Sequence, residues 1–138
     1  MDWTEQTKEQ LKKHEGLRLK PYLCSAGKKT IGYGRNLEDN GISEKEAEIL
    51  LDNDIISHLG EICIKIPFFD RLPDEAKGVL LNMGFNLGVN RLLKFKKFIK
   101  ALEDEDYSKA AAEMEDSRWY RQVGIRAVEL QNIILNLR

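Results

Sequence analysis

The apolar residues of this chain change their period at Gly16 and change it back at Ser43, and those two switches bound the folds open to it. Residues 2 to 13 are rich in Glu, Gln and Lys, with Trp3 and Leu11 the clear apolar positions, which predicts a short helix lying on a surface. Gly16 suits the end of such a helix, since glycine readily takes the left-handed conformation that closes a last turn. From Leu17 alternation takes over. Leu17, Leu19 and Leu23 face one way and Arg18, Lys20, Tyr22 and Cys24 the other, with Pro21 marking an edge strand. Ser25 to Lys28 reads as a turn, and Thr30, Gly32 and Gly34 line one face of the returning strand. Asn36 to Gly41 reads as a polar loop.

The helical period returns at Ser43-Glu44-Lys45-Glu46, a capping box in which the serine accepts from the third residue's amide and that glutamate reaches back. Ala47, Leu50, Leu51, Asp54, Ile55, His58, Leu59 and Ile62 follow at steps of three and four, an apolar stripe about five turns long. Beyond Pro67 everything reads helical. Pro73 suits a first helical turn, Ala76, Val79, Leu80 and Met83 form a face ending near Gly88, and Leu92 to Leu102, Ala110 to Met114 and Ala127 to Leu137 continue the pattern. A small strand pair followed by helices alone is an α+β arrangement, with the main core in the helical part.

A chain of 138 residues is one compact unit or two small lobes sharing a core, because an independent domain typically needs about 100 residues. Its composition, 42% hydrophobic and 33% charged, is that of a water-soluble chain. No apolar run approaches the roughly 18 residues of a membrane span, and Asp2-Trp3-Thr4-Glu5-Gln6 lacks a signal-peptide pattern, so synthesis in the cytoplasm is expected. A net charge of -1 gives no general reason to expect nucleic acid as a partner. Arg91, Lys94, Lys96, Lys97 and Lys100 crowd one segment and read as a solvated helix face followed by the acidic turn Glu103 to Asp106. Cys24 and Cys63 read as free thiols, Cys63 as core. Two distant histidines and no Cys-x-x-Cys pair predict no metal site, and no cofactor is expected.

Chemistry enters at Glu15. A glutamate is by default solvated, but this one falls at a helix exit beside a strand whose Thr30 face two glycines leave open to a bulky ligand. Glycosidic cleavage needs one carboxylic acid to protonate the leaving oxygen and commonly a second group to handle water or charge across the sugar ring. Glu15 fits the first role.

The runs Glu15-Gly16-Leu17-Arg18-Leu19 and Thr30-Ile31-Gly32-Tyr33-Gly34, with Asn82 to Gly88 and Ser117 to Gln122 followed by Arg126, together resemble the phage-type lysozymes over nearly the whole chain. That family places a general-base aspartate nine residues after the glutamate and a threonine six further on; here the two positions are Cys24 and Thr30. Between Gly34 and Ser43 the chain is much shorter than the best-known member, so a small helix and loop are expected to be missing. The resemblance implies a two-lobe lysozyme-like fold within one domain: a β lobe over about 12–42, a connector helix over about 43–64, and a helical lobe over about 65–138 with the helix 2–13 packed on it. It implies a glycoside hydrolase, a muramidase cutting the β-1,4 bond from N-acetylmuramic acid to N-acetylglucosamine in peptidoglycan for host cell lysis. Glu15 would be the acid, with Cys24 and Thr30 at the water, Gly32, Phe85 and Asn86 on the substrate, and Arg126 in support, reaching toward Glu15. A monomer leaving the cytoplasm through a separate membrane channel is the accompanying expectation.

Cys24 keeps three roles open: a thiolate base or nucleophile, a polar anchor for the attacking water together with Thr30, or a packing residue. The second is favoured, because a neutral thiol is a poor base unless a cation or helix N-terminus lowers its pKa. The missing aspartate also admits a lytic transglycosylase, which cuts the same bond without water. A catalytically silent wall-binding protein is the rival from another class. His14 reads as a surface residue, His58 as a satisfied core histidine, and Trp119 and Tyr120 as packing residues.

Overall fold

The structure is a computed structural model that describes residues 2–138. Helix α1 (Trp3–Glu15) starts where the Asp2 carboxylate accepts from the Glu5 amide at 2.9 Å. It ends at Gly16, whose φ of 71° turns the chain away after its N–H has closed the last turn on the Lys12 carbonyl. Strands β1 (Arg18–Leu23), β2 (Lys29–Gly32) and β3 (Arg35–Asn36) follow as an antiparallel sheet in that order. Tyr22 pairs with Thr30 and Leu23 with Lys29, while the ladder is irregular between Arg18 and Tyr22, where Pro21 has no amide to donate.

Two details depart from the sequence expectation. The returning strand stops at Gly32, so Gly34 is not on its face. Gly32 and Gly34 both have positive φ, 71° and 81°, and such a backbone turns the chain out of a strand and here into a third one. Residues 36 to 41 are not a loop either. Asn36 leaves β3 and caps the one-turn helix α2 (Leu37–Asn40), accepting from the Asp39 amide at 3.0 Å and donating to the Asp39 carboxylate at 2.9 Å. The short segment before Ser43 therefore does hold a turn of helix.

Helix α3 (Glu44–Lys65) begins at the expected capping box, Ser43 N–H donating to Glu46 Oε1 at 2.9 Å and Glu46 N–H to Ser43 Oγ at 3.1 Å. Arg35 of β3 grips the same carboxylate with two guanidinium nitrogens, each at 2.8 Å, and so ties the helix start to the sheet. The chain divides inside α3 into two compact units, Met1–Leu50 and Leu51–Arg138.

The second unit continues through a 3-10 turn (Phe69–Arg71) into α4 (Asp74–Leu87), α5 (Val89–Leu92), α6 (Lys96–Glu103), α7 (Tyr107–Glu115), α8 (Arg118–Val123) and α9 (Ile125–Leu135). Pro73 caps α4, and Gly88, at φ 85°, stops it. Every buried hydrophobic side chain among the described residues, from Ile62 to Ile134, joins one cluster here, with Leu80, Met83, Leu92, Phe98 and Ile134 among its fully enclosed members. Gln131 is the polar exception. It donates to the Ala111 carbonyl at 3.0 Å and the Glu115 carboxylate at 3.2 Å and accepts from Tyr120 Oη at 2.9 Å, so α7, α8 and α9 share one satisfied side chain. Cys63 is exposed rather than core: Ile62 and Ile66 take the inward face, and the residue after Ile62 lies about 100° around the helix from it. With this small antiparallel sheet and a helical remainder, the fold is α+β, as the resemblance to the phage-type lysozymes implies.

Candidate active site

Glu15 is exposed at the last position of α1, and its side chain lies against Gly34. A Cβ on Gly34 would come within 2.8 Å of Glu15 Oε2 and 3.0 Å of Cδ, so position 34 requires glycine both for the carboxylate and for its own φ. One turn earlier on α1, Lys12 Nζ stands 5.8 Å from the Tyr33 ring centroid, a second tie between this helix and the same turn. Gly32 meets nothing within 4 Å where a Cβ would be, which leaves open space beside the strand end.

Thr30 is 3% exposed, enclosed although it lies on a small sheet. Its hydroxyl donates to the Lys28 carbonyl at 2.9 Å. Cys24 follows β1 directly and heads the turn, its N–H donating to the Lys28 carbonyl at 3.0 Å and its carbonyl accepting from Gly27 at 2.8 Å. The thiol is half-buried and its pKa is lowered, first by the Lys28 amide, then by the Ala26 amide, then by the Thr30 hydroxyl. Neither a cation nor a helix end is needed: turn amides do the work, while the Lys28 ammonium is drawn off to Asp39 at 3.3 Å and Glu38 at 3.6 Å.

In the helical unit, Phe85 is 40% exposed, its ring centroid 5.3 Å from that of His58, and it lines a groove of about 250 Å³ with Leu81, Asn82 and Arg126. His58 is half-buried rather than the core histidine expected, and its Nδ1 lies 2.6 Å from the Asp54 carbonyl one turn back on α3. Asn86 accepts from Trp119 Nε1 at 2.8 Å, which orients the amide and leaves its own N–H donors for a ligand. Trp119 itself is buried packing. Arg126 donates from Nε to Asn82 Oδ1 at 2.9 Å and from Nη2 to the Asn82 carbonyl at 3.3 Å. Glu15, Cys24, Thr30 and Gly32 belong to the first unit, and Phe85, Asn86 and Arg126 to the second.

Residues 12–132 match the family model described as phage lysozyme. The chain belongs to that family. Similar proteins include an endolysin of Acyrthosiphon pisum secondary endosymbiont phage 1, 36% identical over 109 residues that cover 75% of this chain and 70% of that one. Two Dictyostelium discoideum proteins, described as probable T4-type lysozymes 2 and 1, are 27% and 28% identical and cover 87% and 92% of this chain, and 88% and 92% of their own. As a phage-type lysozyme the chain is a cell-wall glycosidase with peptidoglycan as its substrate class. No helix among the described residues is long and apolar enough to cross a membrane.

Three groups in this phage-type lysozyme escaped the sequence reading. Gly34 was legible as an opened strand position, yet its use as a seat for Glu15 follows only from a left-handed turn. The amides of Ala26 and Lys28 carry no side-chain signal at all. Asn82, which holds Arg126, stands in one of the family-like runs but three and four residues before Phe85 and Asn86, the positions singled out there for substrate.

Proposed function

We propose that this chain hydrolyses the β-1,4 bond from N-acetylmuramic acid to N-acetylglucosamine, in the service of host cell lysis. The seating of the Glu15 carboxylate on Gly34, at the turn that leaves the Thr30 strand, is the observation that supports it most. An acid fixed at a helix end and open to solvent protonates the glycosidic oxygen as the bond breaks. Cys24, half-buried where Thr30 is enclosed, is the group that meets the attacking water, and the Thr30 hydroxyl fixes the sulfur behind it. In its ionised form, which the turn amides favour, the sulfur also takes the water's proton and so replaces the carboxylate the family commonly uses. Water arriving opposite the leaving group inverts the anomeric carbon.

Gly32 leaves room for the sugar, Phe85 offers an exposed ring and Asn86 its free N–H donors. Arg126, held by Asn82, is the supporting residue that the resemblance implies. In this reading one lysozyme-like domain acts as a monomer and reaches the wall through a separate channel. Glu15→Gln tests it: wall lysis should fall by about 10²-fold or more with the thermal midpoint unchanged, and near-normal lysis would sink it. Product analysis then fixes the reaction. A reducing end supports hydrolysis, a 1,6-anhydro end replaces it with transglycosylation, and wall binding without soluble fragments replaces both with a binding protein.

A further inference from the structure

We propose that the face of the helical unit formed by α5, α6 and α8 binds the phosphodiester-linked anionic glycopolymers that bacterial walls carry beside peptidoglycan; the proposal rests on reading the chain as a wall hydrolase. Two shallow grooves of about 380 and 310 Å³ adjoin there and share Lys94, Phe95 and Ser117. Arg91, Lys94, Lys96, Lys97 and Arg118 line them, all exposed or half-buried, and none pairs with a carboxylate among the described residues. The acidic turn does not cancel this charge. It takes up Lys100 alone, through Asp104 at 3.0 Å and Glu103 at 3.4 Å, and Glu113 is the single acid lining either groove. In a chain whose net charge is -1, five unpaired cations on one face are a local excess that selects an anionic partner.

The groove floor says which anion. Phe95 and Trp119 meet edge to face at 6.2 Å, with Trp119 buried and Phe95 half-buried. The Ser117 hydroxyl is already committed, donating to the Met114 carbonyl at 2.6 Å and accepting from the Tyr120 amide at 3.1 Å. Recessed apolar rings under cationic rims suit a strand lying in the groove with its charges at the edges. A bilayer would need the apolar groups at the tips, and single-stranded nucleic acid would need exposed ring faces for its bases to stack on. A polymer of repeated phosphates on a polyol or sugar backbone needs neither. Bound to it, the enzyme stays at high local concentration beside the bond it cuts.

The test uses the full chain carrying Glu15→Gln, sedimented with purified walls that bear poly(glycerol phosphate), before and after hydrofluoric acid has removed that polymer and left the peptidoglycan. Affinity should fall about tenfold on extraction and steeply with added salt, since each phosphate contact releases counterions. Lys94→Glu/Lys96→Glu/Lys97→Glu in the same background should bind unextracted walls as weakly as the parent binds extracted ones, with circular dichroism confirming the fold. Equal binding before and after extraction, an unaffected triple variant, or equally tight binding to anionic vesicles or single-stranded DNA would each overturn the proposal. The chain with Glu15 intact is assayed in parallel on extracted walls. Reducing ends released there keep the hydrolase reading even if the polymer has no effect, whereas no release fails that reading instead.

Discussion

The two units of this lysozyme keep their internal order by opposite means. In Leu51–Arg138 a continuous apolar cluster runs through α3, α4, α5, α6, α7, α8 and α9. In Met1–Leu50 the one buried residue among those described is Thr30, and order comes from caps, from the Arg35–Glu46 pair, from Lys28 with Glu38 and Asp39, and from left-handed glycines. Stability is thus expected to reside in one unit and chemistry to be positioned in the other. Leu80→Ala tests the first half of that division with the largest effect. Leu80 is fully enclosed, so truncation should cost about 2–5 kcal/mol in denaturant unfolding, while lysis per folded molecule at low temperature stays near the parent value. An equal loss of specific activity would dissolve the division.

Gly34→Ala tests the other half. Alanine in the left-handed region costs about 1–2 kcal/mol, and the added Cβ would drive the flexible carboxylate end of Glu15 from its seat rather than move the backbone. A displacement of about 1 Å at a catalytic group is worth on the order of 10²-fold in rate, so lysis at a temperature where both proteins are folded should collapse, while the strain lowers the thermal midpoint by only several degrees. Gly41→Ala is the control. Gly41 also has a positive φ, 59°, but its Cβ would meet nothing within 4 Å and it is not among the proposed site residues, so it should share the strain and keep far more of the activity.

The same division decides what could be read from the sequence. The helical unit was legible because burial imposes a period: Ala76, Val79, Leu80 and Met83 announce their face, and all four are buried. The capping box at Ser43 and the stop at Gly16 were legible because each depends on residues close in sequence. The sheet unit was misread where the backbone, not a side chain, carries the signal. Gly34 fits an alternating strand as well as it fits a left-handed turn, and α2 depends on Asn36 choosing Asp39 as its partner. At the site, Glu15 could be singled out by its place at a helix exit, and Thr30 by the glycines on its strand face together with the family resemblance. The state of Cys24 could not, because amides from the following turn set it.

Cys24 offers a third test, of whether polar geometry in the sheet unit tunes chemistry. Its folded pKa is depressed, so the folded state holds the thiol proton less tightly than the unfolded chain does. The resulting stabilisation is complete above the unfolded pKa and is lost as pH falls through the folded one. Alkylation by iodoacetamide, followed by mass spectrometry at Cys24, should therefore turn on at lower pH in the native protein than in urea. Thr30→Val should move the native midpoint part of the way back, since the Lys28 and Ala26 amides remain. A native midpoint at or above the unfolded one would remove the thiolate from the mechanism.

The smallest effect is expected at Arg35–Glu46, where the sheet meets the start of α3. Hydrogen bonds from Arg35, then from the Ser43 amide and hydroxyl, hold the Glu46 carboxyl at about 2, below its usual 4.5. A depressed carboxylate stabilises the fold fully above the unfolded value and loses that contribution as pH falls toward the folded one. The thermal midpoint of the parent should exceed that of Glu46→Gln above about pH 5, the gap closing between about pH 4.5 and 2. Both side chains are about 40% exposed, so water and salt screen the pair, and the gap should be slight and shrink further in salt. Its location matters more than its size. Faster amide exchange in β2 and β3 at unchanged protection of α4 and α9 would confine the loss to the unit that lacks an apolar core, whereas equal loss in both would mean that the two units unfold as one.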